Sequence, residues 1–316
     1  VLEITLIIAA VVFLFGLCLG SFLNVCIYRM PLGLSVVHPR SACPNCHTAI
    51  AAWDNIPVLS WLLLRGRCRH CHARIAARYA VVELLTALMF VAIFLTFGLS
   101  LATLKFSVFG FLLLGLIFTD AETHLLPDKL TLPGLALGLL FSFFVPVDKV
   151  PVDTLAARIF PFLGDLPLTS DVSARLFWFS DALLGAAVGA SFIYGAGVIY
   201  MRFRGVEGMG FGDVKLMAMV GAFLGVKLTI FVIFTASLAG SFFGVATMLV
   251  VWLRRTRRRM RVSHEAPAVA RKRAWVSAAL VYRNFQVPFG VFLGSMALFA
   301  VFFGERITSW YLGLYR

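Results

Sequence analysis

Charge is scarce in this chain, and acid is scarcer than base. Only 14% of its 316 residues are charged, with 15 Asp and Glu against 28 Lys and Arg; ordinary soluble domains carry about 25%. With 61% hydrophobic residues and a mean hydropathy of +0.94, that shortage excludes a soluble globular domain. Other absences narrow the chemistry. There is no phosphate-binding P-loop, no glycine-rich dinucleotide-type loop, and no serine or cysteine nucleophile motif. No internal repeat stands out, which weighs against a transporter built on inverted halves. The first apolar run lacks a basic leader and a small-residue cleavage site, so it is expected to be a retained helix.

What is present is a series of apolar runs at roughly 2–24, 80–97, 103–119, 130–146, 181–201, 214–226, 228–252 and 288–304. Several approach the ~20 residues that cross ~30 Å of hydrocarbon. The expected fold is therefore an all-α polytopic membrane protein with about eight transmembrane helices. The run at 214–226 is short and broken by glycine, so it is expected to be tilted, broken or partly buried in protein. The net charge of +13 is unevenly placed. Lys and Arg concentrate in 29–78, 202–204 and 254–283, whereas 147–181 holds five Asp against three basic residues. The positive-inside rule puts the basic loops in the cytoplasm and, with eight spans, both termini outside. Arg254-Arg255-Thr256-Arg257-Arg258-Arg259 then reads as a topology anchor meeting anionic lipid, and the topology leaves no place for nucleic acid.

Four of the six cysteines form two pairs, Cys43-Pro44-Asn45-Cys46 and Cys68-Arg69-His70-Cys71. Two CxxC pairs can wrap one tetrahedral ion, and four thiolates favour Zn²⁺ in a closed, structural site. A cytoplasmic loop disfavours disulfides. His47, His70 and His72 lie within reach as substitute ligands. Between the pairs, Trp53–Leu64 is apolar and aromatic but broken by Pro57, as for a segment lying against the membrane. In the first run, Gly16 and Gly20 offer a small-residue face for close helix packing, and Asn24 should face protein. Glu83, just inside the second run, would snorkel, pair with Arg78, or act in a site.

Two acids carry the catalytic expectation. Asp213 closes Gly208-Met209-Gly210-Phe211-Gly212-Asp213, where a membrane helix begins. Alternate glycines suit an extended segment that another backbone approaches, and a carboxylate at membrane depth costs on the order of 2.5–3.5 kcal/mol. The bland alternative is a helix N-cap. Asp120 ends the third run, where an acid opposes the helix macrodipole, so a structural role explains it poorly. Asp128 follows Pro127 as an ordinary helix start, and Glu122 fits a solvated face. Two carboxylates at one membrane face, on different helices, are the minimum for aspartyl proteolysis, because such a pair shares a proton. Rival classes are a metal-stabilised membrane scaffold and a carrier using the acids as a proton relay.

These residues resemble the type IV prepilin peptidase family. The likeness runs through Gly20-Ser-Phe-Leu-Asn-Val-Cys-Ile-Tyr-Arg-Met-Pro31, both CxxC pairs, Asn55-Ile-Pro-Val-Leu-Ser-Trp61, Asp120 with Leu126-Pro-Asp128, and Glu207-Gly-Met-Gly-Phe-Gly-Asp213. It implies catalytic Asp120 and Asp213, supported by Gly210, Gly212, Glu122, Asp128 and Glu207. It implies zinc on Cys43, Cys46, Cys68 and Cys71. It also implies two activities in the bacterial inner membrane. One cuts the basic leader of prepilins and pseudopilins after a glycine at the cytoplasmic face. The other methylates the new N-terminus, commonly phenylalanine, with S-adenosylmethionine. The methyl transfer rests on the resemblance alone, with Asn24, Arg29 and Glu83 as its candidate cofactor residues. The expected division is 1–100 for the tetracysteine half and 101–316 for the peptidase half, which includes a basic loop at 254–283. The loops 147–180 and 254–283 look longer than the family needs, and Glu122 stands where the family often has aspartate.

Overall fold

The computed structural model describes residues 2–145, 170–205, 210–262, 266–283 and 288–314. Among them the regular structure is helical; the only strand-like features are two isolated bridges, Ala42 with Ala49 and Arg67 with Arg74. The helices are α1 (Leu2–Arg29), α2 (Leu59–Leu63), α3 (Arg78–Phe97), α4 (Leu101–Thr123), α5 (Asp128–Phe144), α6 (Ser170–Arg204), α7 (Phe211–Val262), α8 (Pro267–Arg283), α9 (Phe289–Phe299) and α10 (Glu305–Gly313). A π-helical turn, Ala300–Gly304, joins the last two.

Among the described residues, six helical stretches are long and apolar enough to cross a membrane: α1, α3, α4, α6, α7 and α9 with α10. The count of about eight is thus not confirmed, and its two departures have physical causes. Helix α5 has only 17 residues, or ~26 Å at 1.5 Å each. The runs at 214–226 and 228–252 belong to one helical element of 52 residues, broken where Gly225 takes φ 71° and ψ 180°. The break is sharp. A Cβ placed on Gly189 would stand 2.6 Å from the Met217 carbonyl oxygen and 3.1 Å from Thr229 Cγ2. Residues twelve apart meet one point only if the chain folds back, since a straight helix would separate them by ~18 Å.

The first arm of α7 is the centre of the molecule. Leu216, Met217, Met219, Val220, Ala222 and Phe223 are each fully buried, and Phe109 of α4 stacks on Phe223 with ring centroids 4.5 Å apart. The short run is therefore apolar because protein covers it, while the outer helices are apolar because lipid does. Leu2, Ile7 and Leu14 of α1, for example, stay exposed on the protein alone. Close approach is made by glycine. A Cβ on Gly16 or Gly20 would stand 2.6 Å from the Cα of Ala87 or Glu83, so α1 and α3 cross backbone to backbone. A Cβ on Gly221 would stand 2.1 Å from the Gly185 carbonyl oxygen. Gly221→Ala is accordingly expected to cost about 3 kcal/mol or more, the top of the range for overpacking, because backbone has nowhere to move. Gly195→Ala, with nothing within 4 Å, should not destabilise; thermal unfolding in detergent compares the two.

Among its described residues, the basic segment 254–283 is mostly helical and not a loop. Helix α7 runs on to Val262, and α8 returns along it. Trp252 and Trp275 meet edge to face, Trp252 Nε1 donates to the Arg271 carbonyl, and Arg255 donates to the Ser277 carbonyl. Arginines at the end of α7 suit its negative dipole end, which periodicity obscured by continuing an apolar helix into a polar one. The loop expected at 147–180 is helical from Ser170; 146–169 lies outside the described residues.

Candidate active site

Three helix ends converge on Asp120 and Asp213. Helix α4 closes at His124, whose left-handed φ of 53° lets its N–H bond the Asp120 carbonyl, so Asp120 sits in the last turn. Asp213 is the third residue of α7. Both are buried, 5% and 9% exposed, and the two carboxylates interact electrostatically. Leu126, from the short link after α4, fills the space beside them. A Cβ on Gly212 would stand 3.0 Å from Leu126 Cβ, and one on Gly290 would stand 2.9 Å from Asp120 Oδ2 and 3.3 Å from Leu126 Cδ1.

The third helix end was missed in the sequence. The Val291 N–H, in the first turn of α9, donates to Asp120 Oδ2 at 3.0 Å. Asp120 is the negative partner of another helix's positive end, which compensates its unfavourable place on its own helix. The only sequence signal was Pro288-Phe289-Gly290, a helix start with a residue too small to crowd a carboxylate. Asp213 is not an N-cap; it lies inside the first turn, a position the macrodipole also favours. Gly212 is helical as well, so it is small because it packs on Leu126 and not because the segment is extended. Gly210 precedes the helix, and a Cβ placed on it would meet only the Gly212 nitrogen, at 3.9 Å. Glu207 lies outside the described residues.

The supporting acids hold the frame. Asp128, at the start of α5, accepts from Lys215 Nζ through both oxygens at 2.7 Å, tying that helix start to α7 two residues past Asp213. Glu122 pairs with Arg78 at the start of α3. Arg78 is thus taken by Glu122 and not by Glu83. Glu83 is buried between α1 and α3, where Oε2 accepts the Val58 N–H at 2.7 Å. Asn24 donates to the Tyr79 carbonyl. Val58 has φ 59° and ψ −48°, with Leu59 N–H bonding the Pro57 carbonyl; this is the strained hand of the γ-turn, rare for a β-branched residue. Glu83 therefore braces the Asn55–Trp61 segment and Asn24 ties α1 to α3, while Arg29 lies further along α1 and donates to the Ser35 carbonyl.

The four paired cysteines also converge. Their Sγ atoms all lie within 4.8 Å of one another, and Cys43 and Cys71 are 3.7 Å apart. Sulfurs at 2.3 Å from a tetrahedral ion sit about 3.8 Å from each other, so the cluster fits a metal ion. Each pair builds the same knuckle. The Cys43 N–H bonds the Thr48 carbonyl and the His47 N–H bonds the Cys43 carbonyl; Cys68, Ala73 and His72 repeat this. His47 and His72 turn the chain at φ 55° and 56°. They serve as left-handed turn residues, a conformation in which His is enriched. Amide bonds lower the Cys68 thiol, from Cys71 first and then His70. Thr48 lowers Cys46 through its hydroxyl and amide, and the Ala73 amide lowers Cys71. Asp54, pulled below its usual range by its Arg69 hydrogen bond, fastens the second knuckle to the segment between the pairs.

With this geometry in place, comparison with known proteins identifies the architecture. Residues 14–97 match the bacterial peptidase A24 N-terminal domain and 107–245 match the type IV leader peptidase family. The prepilin leader peptidase/N-methyltransferase of Aeromonas hydrophila is 35% identical over 96% of this chain and 93% of its own length. The chain belongs to the type IV leader peptidase family. Proteins of the same description are similar to it in Myxococcus xanthus, at 40% identity over 76% of this chain and 63% of theirs, and in Neisseria gonorrhoeae, at 36% over 71% and 77%. No solved structure matches. The two matched regions flank residue 100, where α3 gives way to α4.

Proposed function

We propose that this chain is a bifunctional enzyme of the bacterial inner membrane: it cleaves the basic leader of prepilins or pseudopilins after a glycine, then methylates the new N-terminal amine. The observation that carries it is the pair of buried carboxylates, Asp120 and Asp213, delivered to one point by different helices. The name shared by relatives matching over most of the chain supports both activities.

In the cleavage step one carboxyl is ionised and the other protonated. The ionised one takes a proton from water as the water oxygen bonds to the scissile carbonyl carbon. The protonated one donates to the carbonyl oxygen as it gains charge. Collapse of the tetrahedral species breaks the C–N bond, and the leaving amine takes up a proton. Gly290 leaves room beside Asp120, and the α9 N-terminus offers positive potential there. Both acids stand at the end of the bundle where the basic segments gather, which supports a cytoplasmic active site. A pilin helix would lie in the bilayer with its cationic leader at that end.

In the tetracysteine half the metal is zinc, held by Cys43, Cys46, Cys68 and Cys71 with no open position, and its role is structural. S-adenosylmethionine would supply the methyl group. The split into 1–100 and 101–316 is supported by the two matched regions. Incubating the purified chain with a prepilin and S-adenosylmethionine tests the whole reading by mass spectrometry of the product N-terminus. The expected product is the leaderless pilin carrying one methyl group. A folded, zinc-loaded protein that leaves the leader intact overturns the peptidase, and an unmethylated cleaved product overturns the transferase.

A further inference from the structure

We propose that a cavity between the end of α1 and the first cysteine knuckle holds the phosphate of an anionic phospholipid, gripped by Arg29 and Arg40. The cavity measures about 310 Å³, at the small end of the roughly 300–1,000 Å³ typical of sites for organic ligands, so it takes a headgroup and not a whole lipid. Its wall is chemically lopsided. Arg29 and Arg40 supply two guanidinium groups, Ser41 and Asn55 neutral hydrogen-bonding groups, and Val25 and Val37 apolar surface; no acid lines it. Asp54, Glu83 and Glu122 are engaged elsewhere, on Arg69, the Val58 N–H and Arg78. Two like charges at one cavity repel each other, and an anion between them turns that repulsion into attraction. A phosphate diester suits the pair, because planar guanidinium forks match its oxygens two at a time. The same charge is wrong for S-adenosylmethionine, a net cation, so Arg29 leaves the set of residues expected to hold it.

Depth points to a lipid as the source of that phosphate. Helix α1 has 28 residues, or ~42 Å at 1.5 Å each. That matches the ~40–45 Å of a bilayer with its headgroups and not the ~30 Å of its hydrocarbon. Arg29 is the last residue of α1, so the cavity lies at headgroup depth. The neighbouring helices give the same level. Asn24 donates to the Tyr79 carbonyl at the start of α3, and Arg78 beside it pairs with Glu122 in the last turn of α4. The apolar parts of both helices end there. Arg29 stands five residues past Asn24, or ~7.5 Å further out, which is about one headgroup layer. Phe22, Val25 and Arg29 share one face of α1 at helical spacing, with Phe22 exposed. A lipid whose phosphate enters the cavity can thus lay its chains along that face. Arg29 spends one N–H on the Ser35 carbonyl, which fixes the side chain and leaves further donors for the phosphate. Inorganic phosphate offers the same oxygens but brings nothing to cover the apolar face.

The test uses the full zinc-loaded chain, with zinc content and thermal unfolding in phosphatidylcholine nanodiscs as fold controls. Phosphatidylglycerol binding is titrated by native mass spectrometry for the wild type, Arg29→Gln, Arg40→Gln and Arg258→Gln. The last of these lies on the exposed basic end of α7 and reports general attraction to anionic lipid. Each cavity variant is expected to weaken the tightest lipid site roughly tenfold or more, the scale of a lost charge-assisted hydrogen bond, while Arg258→Gln leaves that site unchanged. Hydrogen exchange on the unaltered protein needs no variant. Phosphatidylglycerol in the nanodisc should add protection across 36–55, and inorganic phosphate added to phosphatidylcholine nanodiscs should not. Equal protection by inorganic phosphate makes the cavity a site for soluble phosphate and overturns the lipid assignment. Unchanged binding by the folded Arg29 and Arg40 variants, or a loss confined to Arg258→Gln, gives the lipid to the basic hairpin and overturns the cavity. If both cavity variants unfold, the exchange comparison on the wild type decides: protection outside 36–55 sinks the proposal.

Discussion

Asp120→Asn and Asp213→Asn should each slow leader cleavage by at least about 100-fold, the lower bound for losing a positioned acid or base, without unfolding the protein. Asparagine keeps the shape of aspartate and an oxygen that can accept the Val291 N–H, so α9 should stay docked on the Asp120 side. Alanine at 120 loses that bond and should cost a further ~1 kcal/mol of stability, as for other missing helix caps. The comparison separates chemistry from architecture. Measured on one prepilin, cleavage should fall alike for both asparagine variants, while methylation of a pilin supplied already cleaved should continue. Normal cleavage by either variant would make that aspartate structural, and the Asp120 variant would then point to Asp128, which lies nearby but is held by Lys215.

That design depends on something the linear chain concealed. An acid in the last turn of α4 looks uncompensated along its own helix, and that argument singled out Asp120. The compensation comes from Val291, which no periodicity or spacing connects to residue 120 because it depends on how two helices approach in space. Asp213 was easier to read, since glycines and an acid at a helix start sit side by side in sequence. Their physical meaning was less legible: Gly212 is small for Leu126, a contact made by another segment. The membrane helices were visible as apolar runs, yet hydropathy does not separate a run covered by lipid from one covered by protein. For that reason the burial of the first arm of α7 in protein shows only in the structure, and its fold at Gly225 depends on a positive φ that only the assembled structure displays. The cysteine cluster was the most legible feature, because its chemistry is written in local spacing. Even there the near-identity of the two knuckles was hidden, since Thr48 and Ala73 share a backbone role and not a side chain.

Metal loss should be the largest effect on the N-terminal half. Cys43→Ser or Cys68→Ser is expected to strip the bound zinc, and a strong chelator should do the same to the wild type. The knuckles bury little apolar surface beyond Cys43 and Cys68 themselves, so metal binding, worth about 10–16 kcal/mol in comparable small sites, stands in for a core. Without it the segment 40–77 should lose exchange protection and methylation should stop. The histidines distinguish this arrangement from a mixed Cys–His site. His47 and His72 hold positive φ, so glycine, which adopts that conformation without strain, should replace either one with zinc retained. Elemental analysis reads the result directly: one zinc per chain for the wild type and both glycine variants, none for the serine variants. If His47→Gly or His72→Gly released the metal, or Cys43→Ser kept it, the four-thiolate site would be wrong. Cleavage is the sharper readout of how far the halves depend on each other. The module reaches the acids through α3 and the Arg78–Glu122 pair, an exposed contact worth little on its own, so the peptidase should survive zinc loss with its rate reduced far less than that of the transferase.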